Sequence, residues 1–150
     1  MRLILKENHD LPETEVEIRY RKLDSEVEGI VSAVRNASDR VMGIRDNGDH
    51  VPVPFSKILY FEAVDRFVFA YTSSDVYKVR NTLYELEDDT KEKFFLRISK
   101  SVIVNLRAVR KISPDEGRKL RLLLSNGETV IVSRGFVTGL KTAIGMKGGA

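Results

Sequence analysis

Between residues 41 and 132 the chain carries one short apolar run after another, each closed by a turn signal. "VMGIRDNGDHVPV" (41–53) reads as a hairpin with Asn47-Gly48 at its turn. "KILYFEAVDRFVFAYTSSDVYKVR" (57–80) reads as three strands, broken at Val64-Asp65-Arg66 and at Ser73-Ser74-Asp75. "FFLRI", "SVIV", "AVRKI", "LRLLLS" and "ETVIV" continue the series, with Asn126-Gly127 marking a second hairpin. Only "NTLYELED" (81–88) interrupts it with helical spacing, where Thr82 and Glu85 suit a helix start and Leu83 and Leu86 share a face. "RGFVTGLKTAIG" (134–145) closes with a short amphipathic helix on Phe136, Val137, Leu140 and Ile144. Many short strands, few helices and no βαβ alternation predict a mostly β, multi-stranded domain after residue 40.

Residues 1–40 follow a different pattern. "EVEIRYR" (15–21) alternates strictly, with Val16, Ile18 and Tyr20 on one side and Glu15, Glu17, Arg19 and Arg21 on the other. That predicts a half-buried strand, and "MRLILK" offers a second strand to pair with it. Leu23, Val27, Ile30, Val31 and Val34 then recur at helical spacing, with Ser25 and Glu28 in a capping-box pattern. A small β-β-α extension over 1–40, a unit for dimerisation or regulation, is therefore expected ahead of the β domain at 41–147. "GMKGGA" (145–150) is expected to fray. There is no internal repeat.

Without cysteine, the chain has no disulfide framework and no thiolate metal site, which fits a reducing compartment. No apolar run approaches the roughly 20 residues of a membrane-spanning helix. The N-terminus turns charged too early for a signal peptide, so a cytoplasmic protein is expected. The net charge of +3 hides an asymmetry: residues 91–150 hold 13 Lys and Arg against 4 Asp and Glu. A basic unit on a mildly acidic scaffold favours a polyanionic partner, nucleic acid before an anionic membrane, although a solvated basic face would have the same composition.

No catalytic constellation can be assembled, and no cofactor is called for. His9 and His50 lie far apart without ligand-spaced neighbours, and no G-x-S-x-G surrounds a serine. "DNGD" (46–49) starts like a calcium loop, but Lys57 stands where its closing glutamate belongs. Glu87-Asp88-Asp89 reads as a solvated run at a helix end. Neither a metal site nor an enzyme is expected.

"RISKSVIVN" (97–105) sets cations and hydroxyls directly against a core strand. It belongs to a series over residues 56–145: "KILYFEA", a charged turn, "TLYELE", "FFLRISKSVIVNLRAVRKI" and "LRLLLSNGETVIVSRGFV". In order and content this series resembles the LytTR family of bacterial DNA-binding domains. The family's F-x-R-x-H/S-x-S-x-x-V-N stands here as Phe95 to Asn105, with Ser99 where many members carry His. Its closing hairpin matches Asn126-Gly127, Val132-Ser133-Arg134 and Phe136.

The resemblance implies an elongated, mostly β domain that lays loops, not a recognition helix, into successive major grooves. It assigns base reading to Lys100 and Arg134, with Arg66 as the candidate in the third loop, and suits Arg97, Ser99 and Ser101 to phosphate oxygens. The bland readings stay beside these: a solvated loop lysine, a helix-capping or carboxylate-paired Arg134, an Arg66 that completes a turn. Asn105, at a turn after a buried strand, is expected to bond backbone. Residues 1–40 are too short for a receiver domain, so a stand-alone regulator is expected. It would bind double-stranded DNA at paired direct repeats, two copies per operator, and be a monomer or weak dimer when free. Stand-alone members suggest a membrane-protein inhibitor as partner. A protein-interaction module acting without DNA is the alternative, and single-stranded RNA binding ranks last because the aromatics occupy apolar strand positions.

Overall fold

The computed structural model describes residues 1–145, so the tail from Met146 onward lies outside the described residues. The chain divides into two compact units, Met1–Arg35 and a second from Asn36 on.

In the first unit a turn at Asn8–Leu11 is closed by the Leu11 N–H on the Asn8 carbonyl. Helix α1 (Ser25–Ser38) follows on the expected spacing, with Val27 buried and Ile30, Val31 and Val34 partly so. Its cap is Asp24 and not the expected Ser25: the Asp24 carboxylate accepts from the Val27 N–H at 3.0 Å. An anionic cap with Glu26 and Glu28 in the first turn also suits the positive end of the helix dipole.

The two strands expected over "MRLILK" and "EVEIRYR" are not formed; among the described residues no strand precedes Arg40. Leu3 (82 %), Val16 (61 %) and Tyr20 (57 %) are exposed. Alternation names the face a strand would bury, not what it would be buried against. A two-stranded ribbon with no third strand or covering layer buries too little to offset the cost of ordering it.

The second unit is mostly β, as expected. β1 (Arg40–Ile44) and β2 (His50–Pro54) form the hairpin whose turn needs Gly48 at φ 92°. β3 (Tyr60–Val64), β4 (Phe67–Tyr71) and β5 (Val76–Val79) lead to helix α2 (Leu83–Thr90). The expected capping box is present, Thr82 accepting from the Glu85 N–H while Glu85 accepts from the Thr82 N–H. β6 (Phe95–Arg97), β7 (Val102–Asn105), β8 (Val109–Pro114), β9 (Leu120–Leu124), β10 (Thr129–Val132) and helix α3 (Val137–Ala143) complete it. The strands form a seven-stranded antiparallel sheet, β2-β1-β5-β4-β3-β7-β6, and a three-stranded one, β10-β9-β8.

The large sheet carries a core on each face. Phe61 and Ile103 pack with Leu83 and Leu86 of α2 on one side. On the other, Tyr60, Val102 and Val104 pack with Leu122, Leu124, Val130, Val132 and Leu140 from the small sheet and α3. β7 is therefore covered on both faces, which is why it reads as an unbroken apolar run. Phe136 is only partly buried, at the edge of the second core. Leu140 is the fully buried residue of α3.

Tyr60 ties the two sheets together. Its ring stacks on Tyr71 at 4.4 Å, and its hydroxyl donates to Glu128 at 2.8 Å, in the β9–β10 turn. Burial pushes the Tyr60 hydroxyl well above the usual tyrosine pKa, and the bond to Glu128 pushes it further. Tyr71, which donates to Glu62 at 3.3 Å, is shifted upward too, first by burial and then by the Glu62 charge.

Candidate nucleic-acid interface

The β6–β7 hairpin pairs Arg97 with Ile103, and the Ile98 N–H reaches the Val102 carbonyl at 3.0 Å. Ser99, Lys100 and Ser101 are left at the tip, between Ile98 and Val102, both buried. The tip is ordered from within. Ser99 Oγ accepts from the Ser101 N–H at 3.2 Å, and the two hydroxyls lie 3.4 Å apart.

Arg97 orders it from behind. Its Nε donates to the Ser99 carbonyl at 2.9 Å and its Nη2 to the Lys100 carbonyl, while Nη1 donates to Glu87 of α2 at 2.8 Å. The planar fork of a guanidinium suits three such bonds at once. Lys100 has its carbonyl held and its side chain exposed.

Two main-chain bonds bring the other loops to this tip. The Ala63 N–H donates to the Ser101 carbonyl at 2.8 Å, which places the β3–β4 turn beside it. That turn is two residues long, with Val64 opposite Phe67, Asp65 at φ 55° and Arg66 exposed. Lys78 lies over the Phe67 ring, 3.9 Å from its centroid, and fixes the far side of the turn. The Ser133 N–H donates to the Ile98 carbonyl at 2.9 Å, so the chain leaving β10 passes the same tip. A tight turn then opens α3, the Phe136 N–H reaching the Ser133 carbonyl at 2.8 Å with Arg134 exposed between them.

The structure thus gathers Arg66, Lys100 and Arg134 at one end of the second unit, although up to 68 residues separate them in sequence. Among the described residues no hydrogen bond or ion pair engages their side chains, and Asp65 is the one carboxylate these three loops carry. Cations on a fixed framework, unpaired with protein carboxylates, suit phosphate oxygens and base edges. Ser99 and Ser101 also lie at this end, partly buried, with their hydroxyls turned to each other and to the loop backbone.

Asn105 lies at the opposite end of β7. Its amide donates to the Ile58 carbonyl at 2.9 Å and accepts from the Arg107 N–H at 3.0 Å, the backbone role expected for it. Glu87, read in sequence as part of a solvated run, is instead the anchor of Arg97. Ten residues and a helix end separate the pair, and no local spacing signals it. Among the described residues no group of His, Asp or Glu is placed to hold a metal ion, and no helix is long and apolar enough to cross a membrane.

A family model described as the LytTr DNA-binding domain matches residues 48–145. The chain is 30% identical over 143 residues to an uncharacterized HTH-type transcriptional regulator of Staphylococcus aureus strain MRSA252, spanning 94% of this chain and 96% of the relative. A counterpart in strain NCTC 8325 / PS 47 is 29% identical over the same length. A solved LytTr DNA-binding domain from Bacillus cereus superposes with a TM-score of 0.68 at 30% identity, covering 72% of this chain and 98% of that domain. The label HTH belongs to the relatives' names. Among the described residues of this chain no two α-helices follow each other across a short turn, since strands separate α1 from α2 and α2 from α3.

Proposed function

The chain belongs to the LytTR family of DNA-binding domains and is a DNA-binding transcription regulator of bacterial type, and from that premise we propose that it reads operator sequence through three loops. Lys100 and Arg134 contact base edges in the major groove, with Arg66 as the third reading residue. An arginine at position 134 can bond both O6 and N7 of a guanine, and Lys100 presents a single cation to the same kind of acceptor. Ser99 and Ser101 serve phosphate oxygens. Arg97, suited by sequence to the same task, keeps the Lys100 loop in shape, with its remaining donors for phosphate.

One observation carries this reading: two main-chain hydrogen bonds, Ala63 to Ser101 and Ser133 to Ile98, hold three exposed and unpaired cations at one end of the β unit. A side chain that discriminates bases needs that fixed support. Residues 41–147 are the DNA-binding unit and residues 1–40 an extension with a separate task. Two copies occupy paired direct repeats in one operator.

Selection from a random duplex library, followed by fluorescence anisotropy near physiological salt, tests the proposal. A recurrent sequence should emerge and bind on the order of a thousandfold tighter than random duplex. Equal affinity for selected and random duplexes would overturn it and leave a protein-interaction module in its place.

A further inference from the structure

"EVEIRYR" is the segment whose sequence asks for a partner that its own chain does not supply. Its two faces are sharply sorted, yet it forms no strand, and Glu17 and Arg19 are 77 % and 88 % exposed with 3.6 Å between them. Val16 and Tyr20 stand in the open, and Ile18 is only partly covered.

The order of its charges is informative: both acids come before Ile18 and both bases after it. Antiparallel pairing of two such segments about Ile18 sets Glu15 opposite Arg21, Glu17 opposite Arg19, and each reciprocal pair likewise. One face is then four matched ion pairs. The other sets Val16 against Tyr20, Ile18 against Ile18 and Tyr20 against Val16. Directly opposed residues are the stabilising unit of a sheet, both as opposite charges and as aromatic with β-branched partners. Parallel pairing in register would instead oppose Glu to Glu and Arg to Arg, which is destabilising.

We propose that residues 15–21 are a self-recognition strand, which pairs antiparallel with the same segment of a second copy about a two-fold axis at Ile18. The contact is isologous, the same patch serving on both copies. It gives the exposed segment the strand partner it lacks and hides its apolar face.

Because the chain has no cysteine, single substitutions read the geometry directly. The axis sets the two Ile18 Cα atoms at roughly 4.5–5.5 Å, within disulfide reach. The two Val16 residues, and likewise the two Tyr20 residues, are then roughly 13 Å apart, beyond it. Mild oxidation of the full-length chain should therefore cross-link Ile18→Cys into covalent dimers and leave Val16→Cys and Tyr20→Cys without a cross-link.

Charge reversal supplies the second arm, followed by sedimentation velocity. Glu15→Arg with Glu17→Arg should raise the dimer dissociation constant by about tenfold or more, and so should Arg19→Glu with Arg21→Glu. Mixed, the two variants should recover dimers, because Arg then faces Glu at every position; an unfolded extension would not recover. Wild-type chain that stays monomeric up to high concentration overturns the proposal. So does cross-linking that is as efficient through position 16 as through position 18, or a failure of the mixed variants to pair.

Discussion

Lys100 and Arg97 stand three residues apart and are engaged in opposite ways, one cation without a partner and the other occupied by Ser99, Lys100 and Glu87. Lys100→Ala and Arg134→Ala should each cost about 1–3 kcal/mol on the selected operator and much less on random duplex, whose binding is spread over many phosphate contacts. Both residues are exposed, so unfolding free energies from denaturant titration should stay within about 0.5 kcal/mol of wild type. Equal loss on both duplexes would make the residue a phosphate contact. Arg97→Lys separates the roles in another way. Lysine keeps the charge but cannot direct three bonds from one plane. The preference for operator over random duplex should drop while the overall salt dependence is retained, as paired anisotropy titrations would show. A simple charge contact would survive the exchange. These assignments were only half legible in the sequence. The family-like series singled out Lys100 and Arg134, but Arg97 and Glu87 meet only after α2 has folded against the sheet.

Strands and turns were legible where local chemistry decides them. Gly48 and Gly127 take positive φ at the turns their Asn-Gly pairs announce, and Thr82 with Glu85 caps α2 as the spacing requires. The strands expected before residue 22 did not form because a strand is defined by its neighbour, which period-two alternation cannot specify. The cap of α1 slipped by one residue because Asp24, like Ser25, is a good N-cap. The Tyr60–Glu128 bond between sheets joins residues 68 apart, a link that no window of sequence contains. It has a measurable signature. Folded Tyr60 keeps its proton to higher pH than an unfolded tyrosine, which ionises near 10.0. The contribution is fully present below that value. Above it the unfolded chain releases protons that the folded chain holds, so stability falls as pH rises. Urea unfolding should show midpoints falling above about pH 10, and Tyr60→Phe should flatten that fall. A slope unchanged by the substitution would place the titration elsewhere.

At the scale of the whole molecule, the proposed self-pairing and operator binding are separate operations. The proposed two-fold pairing at Ile18 and the proposed tandem operator impose different symmetries, so a free dimer and a DNA-bound pair would be different assemblies. Ile18→Arg should abolish self-pairing yet keep affinity for a single half-site within about twofold, since the proposed reading residues all belong to the other unit and independent sites add. A large loss on an isolated half-site, measured by anisotropy, would show the two to be coupled. The basic excess of the last 60 residues pointed to a polyanion from composition alone, but not to which end of the β unit would meet it. The end proposed here is the one framed by Ala63, Ile98, Ser101 and Ser133, whose contribution is main chain on both sides of each bond. Such joints exclude proline at the two donors, Ala63 and Ser133, and otherwise place no demand on the side chains of the four residues. Arg66, Lys100 and Arg134, whose side chains take no part in that frame, can therefore change while it stays intact, so a lineage built on this scaffold can acquire a new operator vocabulary by exchanging a few letters, with no change to the grammar that holds them in place.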